Sequence, residues 1–180
     1  MNTRSWKSVT YSAGQAYDAC RLNGKPGVAM LVVRLRLLIA TLWVGSLWTV
    51  GYLVAPTLFA TLADRALAGT IAGSIFRIEA WLSVVCGIAL VMLFSYRTHD
   101  DAAPLRKTLL RLALAMLVCT LVGYFGIQPF MADLREAAAG GVMSADAKTR
   151  FGILHGVASG IYLIQSLLGV GLILRLRSLR

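Results

Sequence analysis

The sequence predicts an all-α integral membrane protein in which four helices form a bundle. Four long apolar stretches predict spans at about residues 35–62, 68–96, 107–132 and 150–175. A hydrocarbon core about 30 Å thick needs roughly 20 helical residues at about 1.5 Å each. The chain is 58 % hydrophobic and has a mean hydropathy of +0.72. A soluble protein of 180 residues would be unable to bury this much apolar surface, so a soluble helical bundle is disfavoured.

Basic residues are distributed unevenly between the predicted spans. Of the 18 Lys and Arg residues, 13 lie in three segments: up to Arg36, from Arg97 to Arg111, and from Arg175 onward. Connections rich in Lys and Arg stay in the cytoplasm, so both termini are predicted to be cytoplasmic. The basic residues behind the net charge of +10 therefore mainly orient the helices in the lipid bilayer, and they also attract anionic headgroups. No nucleic-acid-binding motif is present, and nucleic acid is not an expected partner.

The first 29 residues differ from the rest in lacking an apolar period. They are predicted to be a poorly ordered cytoplasmic tail, or upstream sequence included by a wrong start, because Met30 opens a short basic beginning for the first helix. Residues 30–180 form the predicted transmembrane domain.

Four residues mark predicted helix ends. Asp64 is a candidate N-cap for the second helix, and Ser144 begins a cap for the fourth. Pro56 and Pro129 lie near the ends of the first and third helices, where proline kinks a helix or is accommodated by neighbouring groups. This one shared feature is weak evidence for an internal repeat.

Small residues at a spacing of four predict faces where helices pack closely. In lipid, such faces let two backbones approach each other. Intramolecular packing in the bundle and homodimerisation would use the same residues, and the sequence leaves both open. The predicted packing positions are Gly69, Gly73, Gly152, Gly156 and Gly160, and the predicted lipid face of the fourth helix is Leu154, Ile161, Leu168 and Leu172.

Polar residues on three helices form a candidate cluster in the outer part of the membrane. An ionisable residue inside a span is by default a hypothesis for a functional site, because its desolvation is costly. A pair between Glu79 and His155 would lock two helices, bind a cation or pass a proton. The candidate cluster is Glu79, Tyr124, Gln128, His155 and Ser159; Ser83 and Cys86 continue the face of Glu79, and Tyr162 and Ser166 continue that of His155.

Neither a cofactor nor a metal is predicted. A soft copper site would need His155 with Met131 or Met143, and no Met-rich or His-rich tract supports it. No nucleophile elbow, phosphate-binding loop or pair of catalytic carboxylates is present, so we do not expect an enzyme.

Several segments resemble a known family. They are Gly-Tyr-Leu-Val-Ala-Pro-Thr-Leu-Phe at 51–59, the stretch 69–76, Gly-Tyr-Phe-Gly-Ile-Gln-Pro at 123–129 and Phe-Gly-Ile-Leu-His-Gly at 151–156. The chain resembles small bacterial four-span proteins defined as a domain of unknown function, which are similar to eukaryotic transmembrane protein 205. The resemblance implies a multi-pass protein of the bacterial inner membrane without an established activity. A more distant likeness is to copper-resistance membrane proteins of the CopD kind.

The leading functional hypothesis is a non-catalytic binding or accessory component of the inner membrane, with a homodimer or another membrane protein as its partner. The alternative is a small transporter or permeability element for a cation, a metal such as copper, or an apolar solute. A membrane enzyme or haem-associated protein comes third.

Overall fold

A computed structural model of the chain describes residues 26–95, 103–137 and 144–177, and these ranges contain helices and no strand. Most of the predicted tail, as well as Met143, lies outside the described residues. The elements are α1 (Pro26–Trp48), π1 (Thr49–Val54), α2 (Ala55–Thr61), α3 (Arg65–Ser95), α4 (Ala103–Thr120), π2 (Leu121–Ile127), α5 (Gln128–Ala137) and α6 (Ala145–Leu176), where π1 and π2 are π-helical segments.

These elements make four helices that are long and apolar enough to cross a membrane. The first span is Met30–Thr61, the second is α3, the third is Ala103–Ala137 and the fourth is α6. The prediction of an all-helical chain with four such helices is confirmed. All four helices begin before the predicted spans do: at residues 30, 65, 103 and 145, against predicted starts at about 35, 68, 107 and 150.

Capping side chains explain where the second and fourth spans begin. The Oδ1 atom of Asp64 accepts hydrogen bonds from the backbone N–H groups of Ala66 (2.8 Å) and Leu67 (3.1 Å). The hydroxyl of Ser144 accepts from the backbone N–H of Ala147 at 3.2 Å. Each cap satisfies N–H groups that have no partner within the helix, so both predicted N-caps are confirmed.

A π-helical segment lies just before Pro56 of the first span and just before Pro129 of the third. The ring of a proline collides with the carbonyl four residues earlier, and its nitrogen cannot donate a hydrogen bond. π1 ends two residues before Pro56, and π2 ends two residues before Pro129. At the end of π1, the N–H of Ala55 donates to the carbonyl of Val50, five residues back. The wider turn accommodates the proline while the helix continues.

The spans pack as an up-and-down bundle in which consecutive spans are neighbours and the fourth also contacts the first through α1. We call the end that holds Arg36 and Arg106 the basic end, and the end that holds Pro56 and Pro129 the proline end. The main apolar core lies toward the basic end. Its largest members are Trp43, Leu90, Phe94, Leu109, Met116 and Leu172.

Two arginines join the spans at the basic end. Arg36 is fully buried, donates from Nη2 to the carbonyl of Leu93 at 2.7 Å, and lies over the ring of Phe94 at 5.3 Å. Nη1 of Arg106 lies 3.4 Å from the carbonyl of Phe94. Cationic donors at the last carbonyls of a helix also interact favourably with its dipole. Arg36, which lies at the charged start of the first predicted span, is therefore part of the packed interior.

We expect Gly169→Leu to lower the thermal unfolding midpoint in detergent much more than Gly45→Leu does. A Cβ atom at Gly169 would lie 3.0 Å from a methyl group of Val44, whereas one at Gly45 would meet nothing within 4 Å. Overpacking costs about 1–3 kcal/mol, while leucine at an exposed helical position has a better helix propensity than glycine. Equal midpoints would contradict the close contact between α6 and α1.

Candidate functional site

A directed chain of hydrogen bonds ends on the carboxyl group of Glu79. The indole Nε1 of Trp43 donates to the hydroxyl of Ser83 at 2.7 Å. That hydroxyl donates to Oε1 of Glu79 at 2.6 Å. Because an indole N–H is only a donor and serine has one proton, the direction runs from Trp43 through Ser83 to Glu79. Trp43 and Ser83 are fully buried and Glu79 is 6 % exposed.

Tyr162 of the fourth span is inserted against π1 of the first. Its hydroxyl donates to the backbone carbonyl of Leu47 at 2.5 Å, and the backbone N–H of Gly51 faces the Tyr162 hydroxyl oxygen. A Cβ atom at position 51 would overlap the tyrosine ring. Glycine is therefore required at this position for the ring to approach the backbone. The Leu47 carbonyl, two residues before the start of π1, thus accepts a hydrogen bond from a side chain of another span.

Further hydrogen bonds tie the fourth span to the first and third. The Tyr52 hydroxyl donates to Oγ of Ser166 at 2.9 Å, and the Ser166 hydroxyl donates to the carbonyl of Tyr162 at 2.9 Å. Nε2 of Gln165 donates to the Thr120 hydroxyl at 2.9 Å, and both residues are buried. The interior of the bundle therefore has a polar layer, and its polar side chains bond to other spans.

Glu79 has no cationic partner among the described residues. The ion pair found in that part of the chain joins Arg150 to Asp146 at 3.0 Å. Within the described ranges, the Ser83 bond is the one hydrogen bond that Glu79 accepts from a side chain. The lock between Glu79 and His155 that the sequence suggests is not formed, because Glu79 is buried whereas His155 is exposed and stacks on Phe151 at 6.2 Å.

The other members of the predicted cluster lie apart from Glu79. Gln128 is half-buried near Gly73, where its Nε2 would lie 4.0 Å from an added Cβ atom. Tyr124 is half-buried with its ring against Phe125, and Ser159 is exposed. The structure thus brings Glu79 together with Trp43, Ser83 and Tyr162 in place of the predicted partners. Ser83 was suggested by its position one turn after Glu79, but no signal in the sequence pointed to Trp43.

Gly69 and Gly73 lie beside an arginine of the third span. Nη1 of Arg135 donates to the carbonyl of Gly69 at 3.1 Å and would lie 3.4 Å from a Cβ atom at Gly73. The guanidinium also lies over the ring of Phe151 at 5.8 Å. These two glycines therefore admit a charged side chain between the second and third spans, near the proline end.

The glycines of the fourth span are placed differently. Gly152, Gly156 and Gly160 are exposed, and an added Cβ atom at any of them would meet nothing within 4 Å. Intramolecular packing through this face does not occur among the described residues.

The predicted lipid face of α6 is wrong. Leu172 is fully buried in the core, and Leu154, Ile161 and Leu168 are half-buried. These apolar residues supply the contacts with the other spans, so the face that bears glycines and polar residues is turned outward near the proline end.

The residues considered for a copper site are not brought together. Met131 is buried at 6 % exposure, His155 is exposed, and Met143 lies outside the described residues. No group of three or more His, Cys, Asp or Glu side chains with metal-binding geometry occurs in the described ranges.

A shallow groove of about 450 Å³ lies between α5 and α6 at the proline end. Asp133 and Arg150 contribute charged groups to its walls, and the remaining lining residues are Phe130, Leu134, Ile153 and Leu154. The groove is open, and its mostly apolar walls offer few groups that would fix the orientation of a bound molecule.

The chain matches a family described as a domain of unknown function, DUF4149, over residues 38–139. It belongs to this family. The match to DUF4149 covers most of the first three spans and ends before α6, so it includes Trp43, Ser83 and Glu79 and excludes the glycine face of the fourth span. No curated protein and no solved structure matches the chain.

We expect Gly51→Ala to destabilise the protein, because the new methyl group would displace the Tyr162 ring from π1. The loss in the free energy of unfolding should be about 1–3 kcal/mol, the usual range for overpacking. Gly152→Ala is the matched control, since a methyl group there meets open space. Unfolding titrations in mixed micelles measure both variants.

Combining Gly51→Ala with Tyr162→Leu tests the same contact. If the ring and the methyl group compete for one volume, the double variant should be more stable than the sum of the two single losses predicts, by about 0.5 kcal/mol or more. Additive losses would show that the two positions do not interact.

Proposed function

We propose that this DUF4149 protein is a non-catalytic component of the bacterial inner membrane that binds a second transmembrane helix through one face of α6. The residues of this face, which we call the glycine face, are Gly152, His155, Gly156, Ser159 and Gly160. The observation that carries the proposal is that all five are exposed on a helix long and apolar enough to span a membrane.

The spacing of the glycine face supports a contact with another helix. Its members follow the i, i+3, i+4, i+7, i+8 pattern, which places them on one side of an α-helix. Three of them lack a side chain, so another backbone can approach closely, as is common where transmembrane helices associate. The bundle itself leaves this space empty within the described residues, since no atom lies within 4 Å of the added Cβ positions.

The polar members of the glycine face support a protein partner over lipid. Polar side chains within a span are costly when they face hydrocarbon, and they are usually turned toward protein or water. His155 and Ser159 lie five and nine residues beyond Arg150, inside the span and away from its charged first turn. Nearer the basic end, the exposed side of α6 carries Leu163, Ile164 and Leu167, which lipid covers without cost.

The partner that we propose is a second copy of this chain. A twofold contact needs no additional protein, because the same face serves both copies. In such a dimer each Ser159 hydroxyl has a polar partner helix within reach.

The charge distribution supports a topology with both termini in the cytoplasm and the proline end outside. Replacing the three cysteines by alanine gives a background for labelling. In intact cells, Ser144→Cys should react with a membrane-impermeant maleimide, whereas Ser95→Cys should react only after permeabilisation. Both positions are exposed; Ser144 directly precedes α6 at the proline end, and Ser95 is the last residue of α3 at the basic end. The reverse pattern would overturn the topology.

Cysteine cross-linking in native membranes tests the dimer. In the same background, we expect Ser159→Cys to form a cross-linked species of twice the monomer mass. Ile78→Cys, which is 71 % exposed on the second span, should not do so. Adding Gly156→Leu should reduce the cross-linked fraction about tenfold, equivalent to a loss of about 1.4 kcal/mol of association energy.

The control for the leucine substitution is Val157→Leu, at an exposed position on a neighbouring face of α6. It should leave cross-linking unchanged. A Ser159→Cys product that contains a different protein would overturn the second copy as the partner. An absence of any product that Gly156→Leu reduces would overturn the glycine face as a binding surface.

A small transporter for a cation is the second candidate function, and the burial of Glu79 without a cationic partner in the described ranges favours it. Among the described residues, none supports the transport of a metal or of an apolar solute in the way that Glu79 supports the transport of a cation. We further propose that the chain is similar to eukaryotic transmembrane protein 205 and, more distantly, to copper-resistance membrane proteins of the CopD kind.

A further inference from the structure

Beyond the proposed dimer, we infer that Glu79 is a proton-binding site inside the bundle, holding its carboxyl group as a neutral acid at neutral pH. Glu79 accepts one hydrogen bond from a described side chain and has no cation beside it in the described residues. The Tyr162 ring fills the space next to it.

The hydroxyl groups near Glu79 donate to other acceptors, with one exception. Ser83 gives its proton to Oε1 of Glu79. Tyr162 gives its proton to the carbonyl of Leu47, and Tyr52 gives its own to Ser166. An ionised carboxylate has four acceptor positions and needs several donors when it is removed from water. Glu79 has one such bond from a described side chain, which suits the carbonyl oxygen of a neutral acid better than a charged group.

The charged and titratable groups that face Glu79 supply no compensating positive charge. Cys86 on its own helix and Tyr162 on the fourth span are close enough to interact with it electrostatically, and Tyr52 of the first span interacts in turn with Tyr162. None of the three becomes cationic. From the third span, Arg135 donates to the carbonyl of Gly69, more than two turns along α3 from Glu79.

The depth of Glu79 makes an uncompensated charge expensive. Arg36 donates to Leu93 at the basic end, and Glu79 lies about 21 Å from Leu93 along α3 at 1.5 Å per residue. With a hydrocarbon core about 30 Å thick, the carboxyl group then lies within the membrane, in its outer part. A charge at such a depth must be paired, hydrated or neutralised.

A proton fits this site better than a larger cation does. A metal ion would need several oxygen, nitrogen or sulfur ligands. No group of three or more His, Cys, Asp or Glu side chains that could hold a metal ion occurs in the described ranges. An organic cation would need a cavity, but the Tyr162 ring occupies the space against Gly51 and packs edge-on to Phe76 at 5.7 Å. A proton requires no volume. In the binding step, one O–H bond forms on Glu79 and one breaks in a hydronium ion, which leaves water.

Infrared spectroscopy of the full chain in lipid vesicles tests the inference. At neutral pH, the intact protein should show the C=O stretch of a protonated carboxylic acid, and Glu79→Gln should abolish this band. The matched control is Glu136→Gln, which removes an exposed glutamate and should leave the band in place. Absence of the band from the intact protein at neutral pH, or its survival in Glu79→Gln, would overturn the inference.

A second variant keeps the test independent of how Glu79→Gln folds. Ser83→Ala retains the carboxyl group but removes its hydrogen-bond donor, so the C=O band should move to higher frequency. An unshifted band would overturn the assignment to Glu79. The result is separate from that of the dimer test, because the cross-linking of Ser159→Cys does not depend on Glu79 and the infrared band does not depend on the glycine face.

Discussion

Inside the four helices, every polar group must find its hydrogen-bond partner within the protein, and this constraint determines how the spans are joined. Trp43 of the first span donates a hydrogen bond to Ser83 of the second, and Gln165 of the fourth span donates one to Thr120 of the third. These bonds add direction to a core that consists mostly of interchangeable apolar contacts. Each of these bonds requires a donor and an acceptor to face each other, so together with the apolar contacts they restrict how the joined spans are rotated.

The two prolines impose the same constraint on the backbone. Each is preceded by a π-helical segment, and the widened turn exposes carbonyl groups that an α-helix would use internally. Beside π1, the hydroxyl of Tyr162 from the fourth span donates to the Leu47 carbonyl, and Gly51 makes this approach possible. The Gly-Tyr pairs at 51–52 and 123–124 both fall within π segments. A π-helical segment with a Gly-Tyr pair thus precedes the proline in both spans.

Much of the fold could be predicted from the sequence, because span length, charge and capping are local properties. Asp64 and Ser144 cap their helices as predicted. The candidate cluster was less predictable, since a face with Gly156 and Ser159 was expected to turn inward. That expectation holds only if every partner of a helix lies in the same chain. The rotation of α6 is instead set by Leu172 and Gly169, whose contacts with the core depend on distant residues.

One stripe of α6 connects the two proposed sites. His155, Ser159, Tyr162 and Ser166 lie along the same side of the helix, yet the first two are exposed and Ser166 is buried. The environment of this stripe changes at Tyr162, where the fourth span meets π1 of the first. A partner helix on the glycine face would cover the exposed half of the stripe. The buried half leads to the ring of Tyr162, which interacts electrostatically with Glu79. Tyr162 therefore marks the boundary between the half of the stripe that faces outward and the half that is packed inside the bundle.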